Sequence, residues 1–291
     1  MDAVCLNGSW DVVIAKDLDG NVEGVLVYHF RKYRGFKLIL MPPLTFYNGI
    51  YFNYRKNIKP NSKIGFEIKI TEKLLGQLPK HDLYYQQYST EVNNWLPQYW
   101  AGYQQSTRYT YTLSVSDNTE ELWSNLKGNV RRNIKKAEAV CEVINTDVET
   151  FWNELERSYS QRKNPFQKQL IERLYNNLSE INSCQLHLVR HKESKKILAG
   201  SFIAYDNNVS YYVCGFFNPD GKEIGALSYL LWNNITNSKT KQFDFEGSMI
   251  QEVEYFFRAF GGNLTPHYRI WKVNSWLLRL IFKFKNLPFI N

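Results

Sequence analysis

The run ILAGSFIAY from Ile197 to Tyr205, then VSYYVCGF from Val209 to Phe216, then NPDG from Asn218 to Gly221, decides how this chain is read. The first two runs are apolar and aromatic and predict strands. The Asn-Pro-Asp-Gly turn leads into a helix predicted from about Ile224 to Asn237, and Phe243 to Glu246 predicts a short strand after it. Upstream, Leu186 to Arg190 predicts another strand, with a turn from His191 to Lys196. The order is strand, hairpin, strand, helix, strand.

The first part of the chain has the same order. Trp10 to Lys16 predicts a strand, Asp17-Leu-Asp-Gly-Asn21 a hairpin turn and Val25 to Phe30 its second strand. Lys37 to Met41 is a further apolar run, stopped by Pro42-Pro43. A helix is expected from about Ser62 to Leu78 and a strand from Leu83 to Tyr88. Ile64-Gly65 and Ile224-Gly225 are 160 residues apart (224 − 64), as are Leu83 and Phe243 (243 − 83), while Gly24 and Gly200 are 176 apart. A duplicated α/β unit with an insertion in the second copy follows.

Between the copies, Asp117 to Ala139 and Val148 to Arg162 have helical periodicity. Leu122, Leu126, Val130 and Ile134 recur every four residues, and Asp117 or Thr119 is the expected N-cap. The fold class is therefore mixed α/β, in two domains, residues 1–110 and 111–291.

The chain has 291 residues, 44% hydrophobic and 22% charged, enough for sizeable cores. Its net charge of +8 favours anionic partners. No apolar run reaches the roughly 18 residues of a membrane span, and the N-terminus lacks a signal-peptide pattern, so a cytoplasmic protein is expected. Cys5, Cys141, Cys184 and Cys214 form no CxxC pair, against a disulfide framework or a zinc knuckle. Metal chemistry is not expected. His187 and His191 lie on a strand and its end, about 13 Å apart at strand rise. GxSxG, HExxH and GxxxxGK[ST] are all missing.

Two further stretches carry a resemblance. One is Arg108-Tyr-Thr-Tyr-Thr-Leu113, with Glu121-Leu-Trp-Ser-Asn-Leu126 and Arg131-Arg-Asn-Ile-Lys-Lys-Ala137 behind it. The other is Phe243-Asp-Phe-Glu-Gly-Ser248, followed by Phe256-Phe-Arg-Ala-Phe-Gly-Gly262. Both resemble the FemAB/FemX-like branch of the GNAT (Gcn5-related N-acetyltransferase) superfamily. The resemblance implies tandem GNAT-like domains and transfer of an acyl or aminoacyl group to an amine. The donor would be acyl-CoA or aminoacyl-tRNA, used as a co-substrate with no cofactor bound permanently. The acceptor would be a phosphate-bearing cell-envelope molecule, a peptidoglycan precursor or a sugar. Where the family has Phe-Lys, this chain has Phe257-Arg258. Arginine holds an oxyanion or phosphate but does not readily shuttle a proton.

The candidate residues follow, each with a plainer alternative. Lys222-Glu-Ile-Gly-Ala-Leu227 resembles the family's phosphate-binding turn, which makes Lys222, Gly225 and Ala226 candidates for the donor; otherwise Gly225 is simply a helix-start glycine. In the first copy Glu67 stands near the matching place, where it would repel phosphate. Asp244 is the candidate to orient or deprotonate the amine, with Glu246, two residues on, in reserve, and Arg258 is the candidate to stabilise the oxyanion. The alternative for Asp244 is a buried structural carboxylate. Lys127, Arg131, Arg132, Lys135 and Lys136 crowd one helix; Arg131, Arg132 and Lys135 are candidates for a phosphate-rich ligand such as tRNA, or are a solvated face. Trp276 to Phe289 mixes bulky apolar residues with Arg279, Lys283 and Lys285, so it lies on an anionic membrane at the inner face, or packs on its own domain. A non-catalytic GNAT-like module gripping an anionic ligand is the alternative to an enzyme.

Overall fold

The structure is a computed structural model that describes residues 1–115, 118–160 and 163–284. In chain order its elements begin with β1 (Ser9–Lys16), β2 (Val22–Tyr33), β3 (Phe36–Leu40), β4 (Gly49–Phe52), α1 (Pro60–Gln77), β5 (Leu83–Gln87), α2 (Leu96–Trp100) and β6 (Gln104–Ser114). They continue with α3 (Thr119–Asn125), α4 (Gly128–Val140), β7 (Cys141–Asn145), α5 (Val148–Ser158), α6 (Lys168–Glu180), β8 (Cys184–His191), β9 (Ile197–Tyr205) and β10 (Val209–Phe217). The last are α7 (Pro219–Ile224), α8 (Ala226–Thr236), β11 (Gln242–Asp244), α9 (Gln251–Arg258), β12 (Asn263–Val273) and α10 (Trp276–Phe284).

The chain divides into two compact units. The first comprises Met1–Arg108 and the chain from Pro266 onward, and the second Tyr109–Thr265. The chain leaves the first unit within β6 and returns to it within β12. The second domain expected over 111–291 thus does not keep its last part: the segment after Pro266 belongs with the first unit, because β12 hydrogen-bonds to β5, from Arg269 opposite Gln87 to Val273 opposite Leu83.

In the first unit the strand order is β1-β2-β3-β5-β12. β3 and β4 together make one interrupted strand along β2: β3 pairs residues 29–33 of β2, β4 pairs residues 24–27, and residues 41–48 loop out between them. β3 runs parallel to β5, and α1 bridges β4 and β5 as a crossover. Ile70 and Leu74 of α1 are fully buried against Leu26, Ile39, Ile50 and Tyr84.

In the second unit the order is β6-β11-β10-β9-β8-β7. β10 runs antiparallel to β9 and parallel to β11, with α7 and α8 as the crossover. The repeat is thus real at the level of elements: β2, β3/β4, α1 and β5 correspond to β9, β10, α7/α8 and β11. The two Ile-Gly pairs do not coincide. Gly65 lies inside α1, whereas Gly225 stands between α7 and α8 with φ +85°. The strand expected to reach Glu246 stops at Asp244.

The predicted stripe is borne out as core: Leu122, Leu126, Val130 and Ile134 pack with Phe243, Phe245, Phe257 and Phe260. The helix that carries it is two helices. Leu126 and Lys127 take extended ψ values, the Lys127 N–H donates to the Ala259 carbonyl, and Gly128 opens α4. Glycine disfavours a helix interior by about 1 kcal/mol, so a break there is inexpensive. Asn118 caps α3 through Glu120 and Glu121 N–H. Of the two expected caps, Thr119 is instead the first residue of α3 and Asp117 lies outside the described residues, as do Arg162 and residues 285–289 of the tail.

Candidate active site

The site forms where two parallel strands part. β10 and β11 pair only from Val209 opposite Gln242 to Tyr211 opposite Asp244. Beyond that point β10 bulges between Tyr212 and Cys214, and β11 ends. A bulge leaves one residue, here Val213, out of the ladder and turns the strand.

The end of β11 is held by one carboxylate oxygen. Asp244 Oδ1 accepts from Thr110 Oγ1 at 2.5 Å and from the Glu246 N–H at 2.8 Å. This turn throws Glu246 and Gly247 into the left-handed region, φ 54° and 57°. Gly247 is required there, because a Cβ would strike the Tyr109 carbonyl. The alternation expected along the strand therefore fails at Glu246. Phe243 and Phe245 enter the aromatic core, their rings 5.1 Å apart, and Asp244 is buried.

Glu246 consequently has its carboxyl in a desolvated place although the residue keeps some exposure. Burial pushes its pKa well above the ordinary carboxylate value, and the negative Asp244 adds to the push. The Cys214 thiol is pushed up by burial and then by Glu246. A carboxyl with raised proton affinity, beside one that anchors the turn, is the environment in which a carboxylate becomes an effective general base.

Two residues along β10 from Cys214, Phe216 lines a cavity of about 610 Å³ with Glu154, Arg157, Ser158, Ser160, Lys196, Asn218, Pro219 and Asp220. Arg157 pairs with Glu154 at 2.6 Å, and Lys196 with Asp220. The corresponding place in the first unit, between the β1–β2 turn, the end of β4 and α1, is a cavity of about 350 Å³ lined by Asp17, Asp19, Glu23, Tyr54, Arg55 and Phe66. Three carboxylates to one guanidinium make it hostile to phosphate. Glu67 is buried nearby and accepts from the Tyr54 hydroxyl at 2.8 Å.

The other predicted residues are placed as follows. Lys222 is exposed in α7. Gly225 packs on α4, where a Cβ would meet Asn133 Cβ at 2.5 Å. Ala226 is fully buried with Cys141, Val189, Leu198 and Leu230. Arg258 lies on α9, its Nε 2.9 Å from Glu254 and its guanidinium 5.4 Å from the Tyr255 ring centre. Glu254 also accepts from the Tyr111 hydroxyl at 2.5 Å, which, ahead of Arg258, holds its carboxyl below the usual range.

In the basic cluster, Arg131 donates to the Trp123 and Ser124 carbonyls and so satisfies the C-terminus of α3. Lys135 stands over the Trp123 ring, Lys127 over the Tyr255 ring, and Lys136 donates to the Glu223 carbonyl. Arg132 is exposed. The like-charge repulsion along this helix is thus offset largely within the protein.

Residues 124–245 match the family model described as an acetyltransferase (GNAT) domain. That segment is thus similar to GNAT domains, and the fold is like that of FemX. FemX itself is 13% identical, with a TM-score of 0.70 over 94% of this chain and 90% of that one. L-PGS from Bacillus licheniformis is 12% identical, TM-score 0.50, over 94% and 88%. A tandem GNAT protein from the clavulanic acid biosynthesis pathway is 9% identical, TM-score 0.51, over 91% and 83%. No curated protein sequence matches the chain.

Sequence reasoning missed Thr110 and the cavity at Arg157 and Lys196. Thr110 lay in plain sight within the Arg108–Leu113 stretch, but its role depends on β6 lying beside β11, 134 residues away in sequence.

Proposed function

We propose that the protein is an N-acyl- or aminoacyltransferase acting on an amine of a cell-envelope precursor or sugar, with Glu246 as the proton acceptor. The desolvated Glu246 carboxyl, at the point where β10 and β11 part, carries the reading. The expected roles of the two carboxylates are exchanged: Asp244 anchors the turn and raises the proton affinity of its neighbour, and Glu246 faces the chemistry.

In this reading the donor's acyl carbon enters the gap between β10 and β11, and its phosphates extend toward the cavity beside Arg157 and Lys196. The amine attacks, a C–N bond forms, and the bond to the CoA sulfur or the tRNA ribose oxygen breaks. The nitrogen's proton passes to Glu246. Val213, freed from its ladder by the bulge, offers an N–H to the developing oxyanion. Arg258 remains a second source of positive charge, once released from Glu254. The likeness to GNAT domains and the FemX-like fold support acyl transfer; a peptidoglycan-type acceptor and the choice between acyl-CoA and aminoacyl-tRNA are part of the proposal. So is an intracellular site of action. Among the described residues no helix is long and apolar enough to cross a membrane.

The test is acyl transfer from acetyl-CoA and from aminoacyl-tRNA to muropeptide and amino-sugar acceptors, with Glu246→Gln as the comparison. Loss of a general base costs about 10²–10⁴ in kcat. Retention of specific activity by folded Glu246→Gln would overturn the assignment. A chain that binds these donors but turns over none of them with any acceptor would favour the non-catalytic module.

A further inference from the structure

We infer that the first unit carries a docking surface for an anionic lipid bilayer, formed by α10 and the tip of the β2–β3 hairpin. This goes beyond the transfer reaction and does not depend on it. Leu278 anchors α10 in a cluster with Leu38, Leu40, Leu83 and Tyr85, and Phe36 at the base of the hairpin tip packs on the same cluster. One apolar core thus ties the two segments to one surface.

α10 turns a second apolar face outward. Trp276, Leu277, Leu280 and Ile281 are all exposed, Trp276 by 71%. Their spacing, i, i+1, i+4 and i+5, puts them side by side on one stripe. On the face of the ribbon that carries Phe36, Leu38 and Leu40 the hairpin presents Arg31, with Arg34 at its turn, while Lys32 and Lys37 share the opposite, Ile39 face; α10 adds Arg279, which donates to the Val273 carbonyl. Asp82, an acid at this edge, accepts from the Lys37 N–H.

The hairpin is built against its own stability. Lys32 stands directly opposite Lys37 in the β2–β3 register. Like charges opposed across strands repel. Arg34 occupies a left-handed turn position, φ 49°, where Asn or Gly is preferred. Tyr33, exposed, lies between Arg31 and Arg34, whose guanidinium carbons are 5.3 and 5.4 Å from its ring centre. Exposed Trp and Leu beside clustered cations match an interface in which apolar side chains enter the headgroup region and cations meet lipid phosphates.

Co-sedimentation of the full chain with vesicles of equal phosphatidylglycerol and phosphatidylcholine, against pure phosphatidylcholine, tests this. Binding is expected to the anionic vesicles, with a blue shift in tryptophan emission, and to weaken at high salt. Leu280→Glu with Ile281→Glu, and separately Arg31→Ser with Arg34→Ser, should each lower vesicle partitioning. The double charge change should lower it on the order of twenty-five-fold, at about fivefold per cation. All four side chains are at least partly exposed, so melting temperatures should hold. No binding to anionic vesicles, or binding indifferent to both variants, overturns the inference. So does a loss confined to the charge variant, which would instead describe a purely electrostatic surface of the kind that holds nucleic acid; a tRNA gel shift lost in parallel would identify it.

Discussion

Glu246 is held in a costly state, and the cost is measurable. Its folded pKa lies above its unfolded value, so between the two the native state binds a proton that the unfolded chain does not. Its contribution is therefore favourable at and below the unfolded value near 4.5 and is lost as pH rises through the folded pKa. Glu246→Gln should flatten that loss and raise the melting temperature at pH 8 relative to the parent, with little difference at pH 4.5. Parallel melting curves at both pH values would mean that Glu246 is not desolvated in solution. The same carboxyl as a base makes kcat/KM rise with pH up to its folded pKa. Stability and activity would then trade against each other through a single proton. The sequence showed that two carboxylates stood two residues apart. It did not show which was the anchor, because that follows from the Thr110 hydroxyl and from a left-handed turn that strand alternation does not anticipate.

At the scale of elements, the strands and helices of the repeat were legible because each has a strong apolar run closed by a turn. Ile197–Tyr205 matches its predicted span, and α1 and β10 fall within two residues of theirs. α6, α9 and β12 lack such a signal, since their patterns make sense only against neighbours distant in sequence. The α7–α8 junction shows how a motif can be present for another reason. Gly225 fits the phosphate-turn spacing, but its φ of +85° and its approach to Asn133 already demand glycine. Gly225→Ala should destabilise the protein by about 1–3 kcal/mol through backbone strain and the clash with α4. A large side chain at this position would thus report on folding before it reported on a donor. Arg131→Ala should cost about 0.5–1.5 kcal/mol, the worth of hydrogen bonds to the end of α3, whether or not a phosphate ligand is present. Urea denaturation of both variants checks these values; a stable Gly225→Ala would return the glycine to the donor.

For the molecule as a whole, four histidines set the acid limit. Burial lowers His29, His81, His187 and His267, the last to about 3 with help from Arg108 and Arg269. Each takes up a proton near pH 6.5 only on unfolding, so stability should fall progressively as pH drops from 6.5 toward 3. Glu246 opposes this, one group against four. A melting temperature that stays level between pH 6.5 and 4 would contradict the burial of these rings, and His267→Gln should reduce the slope.

The return of the chain through β12 also sets an order in time. The ribosome makes all of residues 109–265 before the segment that hydrogen-bonds to β5. The first unit, although begun earlier, therefore waits with an unpaired β5 edge on the nascent chain. A chain ended at residue 265 should accordingly be captured by chaperones or aggregate through that edge, and adding a synthetic peptide of residues 263–284 in trans should restore its solubility.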